Sequence, residues 1–226
     1  MLDQRKASFL RRNSLSIAVF AIFAVLTLGL VLTGHDEFNA DEREHGGQTV
    51  SLTTYLSEGH FWEAVFENWE SEFLQMGAYV ALTIFLIQKG SAESKDPDKK
   101  EPVDEDPRNA DTGATVPWPV RKGGLWLRLY ENSLLIAFFA LFIGSFVGHA
   151  VGGVDSYNAE LVEHHQPTVS TWGYVSGSRF WFEAFQNWQS EFLAVALIVV
   201  LTIFLRQKGS PESKPVAAAH SDTGSS

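Results

Sequence analysis

The chain has 226 residues, 17 Lys and Arg against 27 Asp and Glu, a formal charge of −10, and no cysteine. The lack of thiols excludes a disulfide scaffold, thiolate zinc, iron–sulfur clusters and cysteine nucleophiles. The acidic balance speaks against nucleic acid as a partner, since that needs a basic face.

In chain order, residues 1–12 form a basic tail, and residues 14–34 follow as 21 positions without a charge. That length crosses the roughly 30 Å of a bilayer's hydrocarbon core as a helix. Arg11-Arg12 ahead of this run has the look of a twin-arginine export signal. The same apolar segment recurs internally without paired arginines, so the first copy reads as an anchor. After an outward loop, Trp62, Phe66, Trp69 and Phe73 recur at helical spacing. They lead into a second span over about 68–87, a helix that starts in an aromatic interfacial belt and enters the bilayer. A re-entrant or surface helix is the blander alternative. Residues 96–120, rich in Asp, Glu, Lys and Pro, read as a disordered cytoplasmic linker. Two further spans follow at about 133–154 and 187–205, and a tail of Ala, Ser and Gly at 210–226 reads as disordered.

Shifting the chain by 119 residues aligns residues 13–95 with 132–214 without a gap, and 42 of the 83 pairs are identical. Each copy holds two spans, so both copies enter from the same side. The expected fold is therefore all-α: four transmembrane helices as two parallel duplicated helical hairpins, repeat 1 over 13–95 and repeat 2 over 121–209. Two such hairpins close most simply as a four-helix bundle. Lys and Arg concentrate in the N-terminal tail, the linker region and the segment after Leu205, whereas only Arg43 and Arg179 fall in the other two loops. The positive-inside rule then places both termini in the cytoplasm and the acidic loops outside.

The string Asn68-Trp69-Glu70-Ser71-Glu72-Phe73-Leu74, with Phe61-Trp62 before it and Gln88-Lys89-Gly90-Ser91-Ala92-Glu93-Ser94-Lys95 closing the copy, carries a resemblance. It resembles a family of bacterial integral membrane proteins known by a domain of unknown function, number 6766, across both repeats. The resemblance implies a bacterial inner (plasma) membrane location and brings no activity or ligand with it. The second copy departs from the first by replacing Glu63, Glu67 and Glu70 with Phe182, Gln186 and Gln189.

The first candidate site is a polar cluster at the outer mouth of the second and fourth spans: Asn68 and Glu72, repeated as Asn187 and Glu191. Ionisable groups about one turn inside a membrane boundary are costly unless they face water, a partner or a pathway. They are either a proton- or cation-binding pair or carboxylates that fix helix depth at the headgroups, and the second reading is preferred. Trp62, Trp69, Trp181 and Trp188 read as interfacial anchors. His45 and His164, each preceded by Glu, are the metal candidates, but adjacent residues diverge on a regular element, and no metal is assigned. Gly144, Gly148 and Gly152 form a small-residue seam, which fits packing inside the bundle as well as a homo-oligomer. Near mid-membrane only Thr27, Thr83, Ser145 and Thr202 stand out as polar.

No P-loop, nucleophile elbow or His-Glu-x-x-His string is present, so no enzyme, cofactor or small-molecule ligand is expected. The lipid bilayer is the expected partner. The preferred function is a non-enzymatic multi-pass protein of membrane interaction or envelope maintenance. The alternative is an oligomeric conduit or carrier for protons, cations or a small solute using Glu72 and Glu191.

Overall fold

A computed structural model describes residues 9–110 and 115–224. Parts of the N-terminal tail, linker and C-terminal tail therefore lie outside the described residues. The described chain is all-α. A turn of helix, α1 (Phe9–Arg12), leads into the long α2 (Ser14–Glu44), the short α3 (Leu52–Tyr55) and the long α4 (Gly59–Phe85). Two 3-10 turns, Pro102–Asp104 and Pro107–Asn109, interrupt the linker. Then α5 (Trp118–Lys122) and α6 (Gly124–Glu131) precede a second long–short–long series: α7 (Ser133–Glu163), α8 (Thr171–Val175) and α9 (Ser178–Phe204).

Three helices, α2, α7 and α9, are long and apolar enough to cross a membrane. Of the four spans expected, the one at 68–87 belongs to α4, which does not qualify. Its apolar C-terminal half is preceded, within the same helix, by Glu63, Glu67, Glu70 and Glu72. The helices also run past the expected spans: α2 and α7 each have 31 residues and extend about 46 Å at 1.5 Å per residue. Their last turns stand above the apolar runs and carry the acidic residues of the loops.

The same local devices form both outer ends. Asn39 accepts from the Val50 N–H at 2.7 Å and donates to the Val50 carbonyl at 3.1 Å. Asn158 grips Val169 the same way, at 2.8 and 3.0 Å. Each amide thus satisfies a backbone pair that no strand or helix partner supplies. One residue later Ser51 and Ser170 cap α3 and α8 by accepting from the Thr54 and Gly173 N–H groups. Those short helices aim Tyr55 and Tyr174 inward, both 1% exposed. Their hydroxyls lie against Gly34 and Gly153, where any Cβ would collide with the phenol.

The main contact is between α4 and α7, which belong to different sequence copies, and α9 covers part of α4. Gly148 and Gly152 permit it. A Cβ on Gly152 would lie 2.8 Å from the Glu63 nitrogen, and one on Gly59 would lie 2.7 Å from the Gly152 carbonyl oxygen. A Cβ on Gly148 would meet the Phe66 ring at 2.5 Å, whereas nothing lies within 4 Å of Gly144. The seam therefore packs inside the chain through two of its three glycines.

At the opposite end, Lys214 is buried, and its ammonium donates to the carbonyls of Gly90, Ala219, His220 and Asp222. Thr223 accepts from the Gly90 N–H at 2.9 Å, and Gly224 donates to Ser91 at 2.9 Å. The tail is held against the C-terminal ends of α4 and α9.

Candidate functional site in the α4–α7–α9 core

Glu63, Glu67 and Glu70 follow one another at helical intervals of four and three, which places them on one side of α4. That side faces α7 and α9. His149 of α7 has no exposed surface, and Glu70 has none either. His149 Nδ1 lies 3.2 Å from Glu70 Oε2, and Nε2 lies 3.6 Å from Glu183 Oε2 of α9. Neither ring nitrogen makes an aligned hydrogen bond, and neither does Glu70 Oε2. Phe180 stacks on the imidazole at 4.6 Å between ring centres and seals that side.

The carboxylates have further partners. The Trp188 indole N–H donates to Glu70 Oε1 at 3.2 Å. Asn187 donates to Glu67. Tyr174 places its hydroxyl between two acids, 2.6 Å from Glu183 Oε2 and 3.2 Å from Glu63 Oε1. Burial, then the bond to Glu183, pushes the Tyr174 phenol well above its ordinary range, so it stays a donor. Arg179 donates to Glu183 Oε1 at 2.9 Å and to Glu160. Among the described residues, Glu63, His149 and Glu183 are the group whose ligand atoms come within 4.8 Å of one another, as a shared metal ion would need.

Beside the cluster lies a crevice of about 760 Å³ between the C-terminal ends of α2 and α7 and the start of α4. Glu37, Asp41, Glu58, Asp155, Glu160 and Glu163 make it acidic, and Arg179 is shared with the cluster. His45 Nδ1 crosses it to Glu163 Oε1 at 3.4 Å, tying the end of α2 to the end of α7.

Polar side chains continue beyond the cluster. On α4, positions 63, 67, 71, 75, 79 and 83 are Glu, Glu, Ser, Gln, Tyr and Thr, each four residues after the last and all buried or half-buried. Gln75 donates to the Glu191 carbonyl at 3.0 Å, and Tyr79 to Glu93 Oε2 at 3.0 Å. Ser71, Gln75 and Tyr79 thus extend the buried polar side chains along α4 toward its C-terminal end.

The expected boundary cluster comes together only in part. Asn68 donates to Ala64 of its own helix, and Glu72 is exposed but near enough to Glu191 to feel its charge. Asn187 belongs to the buried cluster through Glu67. Glu191 contributes its backbone carbonyl to Gln75. Trp62, Trp69 and Trp181 present 36–40% of their surface, while Trp188 turns its indole N–H to Glu70. His45 and His164 line the crevice but do not join the metal-ligating group. That group lies within three helices, where side chains converge from different elements, whereas the Glu-His pairs sit at the C-terminal ends of α2 and α7.

The site and fold define an all-α protein with three helices apolar enough to span a membrane and an ionisable core among its helices. The chain belongs to the family described as Domain of unknown function (DUF6766), which it matches over residues 6–225. No curated protein and no solved structure matches it.

Proposed function

We propose that this is a non-enzymatic, four-span bacterial inner-membrane protein, built of two parallel hairpins with both termini cytoplasmic, that carries or conducts a cation. On this reading the working site is the cluster around His149, and not Glu72 and Glu191. The row of polar side chains along α4 carries the proposal. From residue 63 to residue 83 it covers about 30 Å, the thickness of the hydrocarbon core, while winding roughly 200° around the helix. Polar side chains at such depth are costly in a membrane and mark a pathway where they are kept from lipid. It also accounts for the modest apolarity of α4, which α7 and α9 shield from lipid. The acidic crevice would concentrate cations at the outer entrance.

The test is flux of protons and of divalent cations into proteoliposomes, comparing wild type with His149→Leu, the residue that repeat 1 carries at position 30. Flux in the wild type that the variant loses supports the reading. Equal flux in both, or none from folded and correctly inserted wild type, rejects it and leaves membrane interaction through the exposed tryptophans as the role.

A further inference from the structure

We infer that Glu63, His149 and Glu183 bind one divalent transition-metal ion, an inference that deepens the cation reading above by naming the class of ion. Three observations converge. First, the ligand atoms: one oxygen of each carboxylate and one imidazole nitrogen lie within 4.8 Å of one another. Metal–ligand bonds of about 2.0–2.2 Å put tetrahedral ligand atoms about 3.3 Å apart. His149 Nε2 and Glu183 Oε2, at 3.6 Å, are already near that spacing.

Second, the histidine is arranged as a ligand. Its ring is wholly buried, and its Nε2 lies beside Glu183 without an aligned hydrogen bond. On the other side Nδ1 faces Glu70 Oε2 at 3.2 Å. A carboxylate beside Nδ1 that closed to a hydrogen bond on metal binding would hold the proton there and leave the Nε2 lone pair for the metal, the usual support of metal-binding histidines. Trp188 in turn fixes Glu70, and Arg179 and Tyr174 fix Glu183.

Third, four carboxylates, those of Glu63, Glu67, Glu70 and Glu183, gather between α4 and α9 beside the single guanidinium of Arg179. Buried carboxylates need compensation, and a divalent ion is one source of it. One nitrogen and two carboxylates suit zinc, manganese or ferrous iron; calcium prefers six to eight oxygens and magnesium keeps its waters. The ion would arrive from the acidic crevice, whose floor includes Arg179 and Ser156.

The test uses the full chain in detergent, stripped with chelator and titrated with Zn2+ or Mn2+ by calorimetry. One equivalent per chain is expected. Affinity should fall at least about 100-fold in Glu63→Gln, His149→Gln and Glu183→Gln, and about 10- to 100-fold in the positioning variant Glu70→Gln. Glu72→Gln should match wild type. Tryptophan-monitored melting of wild type and Glu72→Gln should rise with Zn2+. As a check independent of any variant's folding, electron paramagnetic resonance of the Mn2+-loaded wild type should show coupling to one imidazole nitrogen. No stoichiometric binding, binding unchanged in the three ligand variants, or no nitrogen coupling would overturn the inference. Metal binding without flux would reject the carrier and keep the site; proton flux without metal binding would do the reverse.

Discussion

Substituting alanine at the seam glycines tests the closest helix contact in the molecule. At Gly152 the new methyl would stand 2.8 Å from the Glu63 nitrogen and 3.1 Å from the Gly59 oxygen, both backbone atoms of α4. Ordinary contact is about 3.5–4.0 Å, so α4 must retreat by roughly 0.7 Å or more. Overpacking of this kind costs about 1–3 kcal/mol, against which alanine's better helix propensity returns a little under 1 kcal/mol. The expected net loss is about 0–2 kcal/mol. At Gly148 the obstacle is the Phe66 ring at 2.5 Å, a side chain that can turn, so the loss should be smaller. At Gly144 nothing lies within 4 Å, and alanine should stabilise by up to about 1 kcal/mol. The assay is reversible unfolding in mixed micelles followed by tryptophan fluorescence. An order other than Gly152→Ala below Gly148→Ala below Gly144→Ala would refute the α4–α7 contact.

Three other perturbations have defined outcomes. Tyr174→Phe removes the donor shared by Glu63 and Glu183 and should cost about 1–3 kcal/mol in the same assay, against little for an exposed control such as Trp172→Phe. Asn158→Ala leaves the Val169 N–H and carbonyl without partners; hydrogen exchange at Val169 should accelerate, and about 1–2 kcal/mol should be lost. The bond to the Asp41 carbonyl, then the charge of Glu163, raises His45 above its ordinary 6.5. A raised histidine stabilises the fold fully below the unfolded pKa, and the gain fades as pH climbs through the folded value. The melting-temperature advantage of wild type over His45→Gln should therefore be present at pH 5–6, below the unfolded pKa, and be lost progressively as pH rises above it. An advantage that grew with pH would contradict the contact with Glu163.

Three membrane-length helices, α2, α7 and α9, were legible because long uncharged runs have few alternatives, while the fourth expected span, in α4, does not qualify. The cluster was not legible, for two reasons. Glu63, Glu67 and Glu70 have the spacing of a solvated helix face, and only packing shows that they are covered. Their partner His149 lies in the other copy, and no spacing announces that α4 pairs with α7. A usable signal did exist in the differences between copies. His149 stands opposite Leu30, Glu183 opposite Ala64, Arg179 opposite His60, and the three glutamates opposite Phe182, Gln186 and Gln189. The glycine seam was visible as a motif, yet its partner was not, since Gly59 gives no hint in sequence that it meets Gly152.

The privacy of those ionisable residues has a consequence for how the molecule can change. A chain assembled from two copies of residues 13–95 would keep three glutamates and lose the histidine, the arginine and Glu183. One assembled from two copies of residues 132–214 would keep the histidine with a single core acid, Glu183. The halves have ceased to be spare parts for each other. Any recombination that made them alike again would leave the apolar helices intact and erase the polar heart between them.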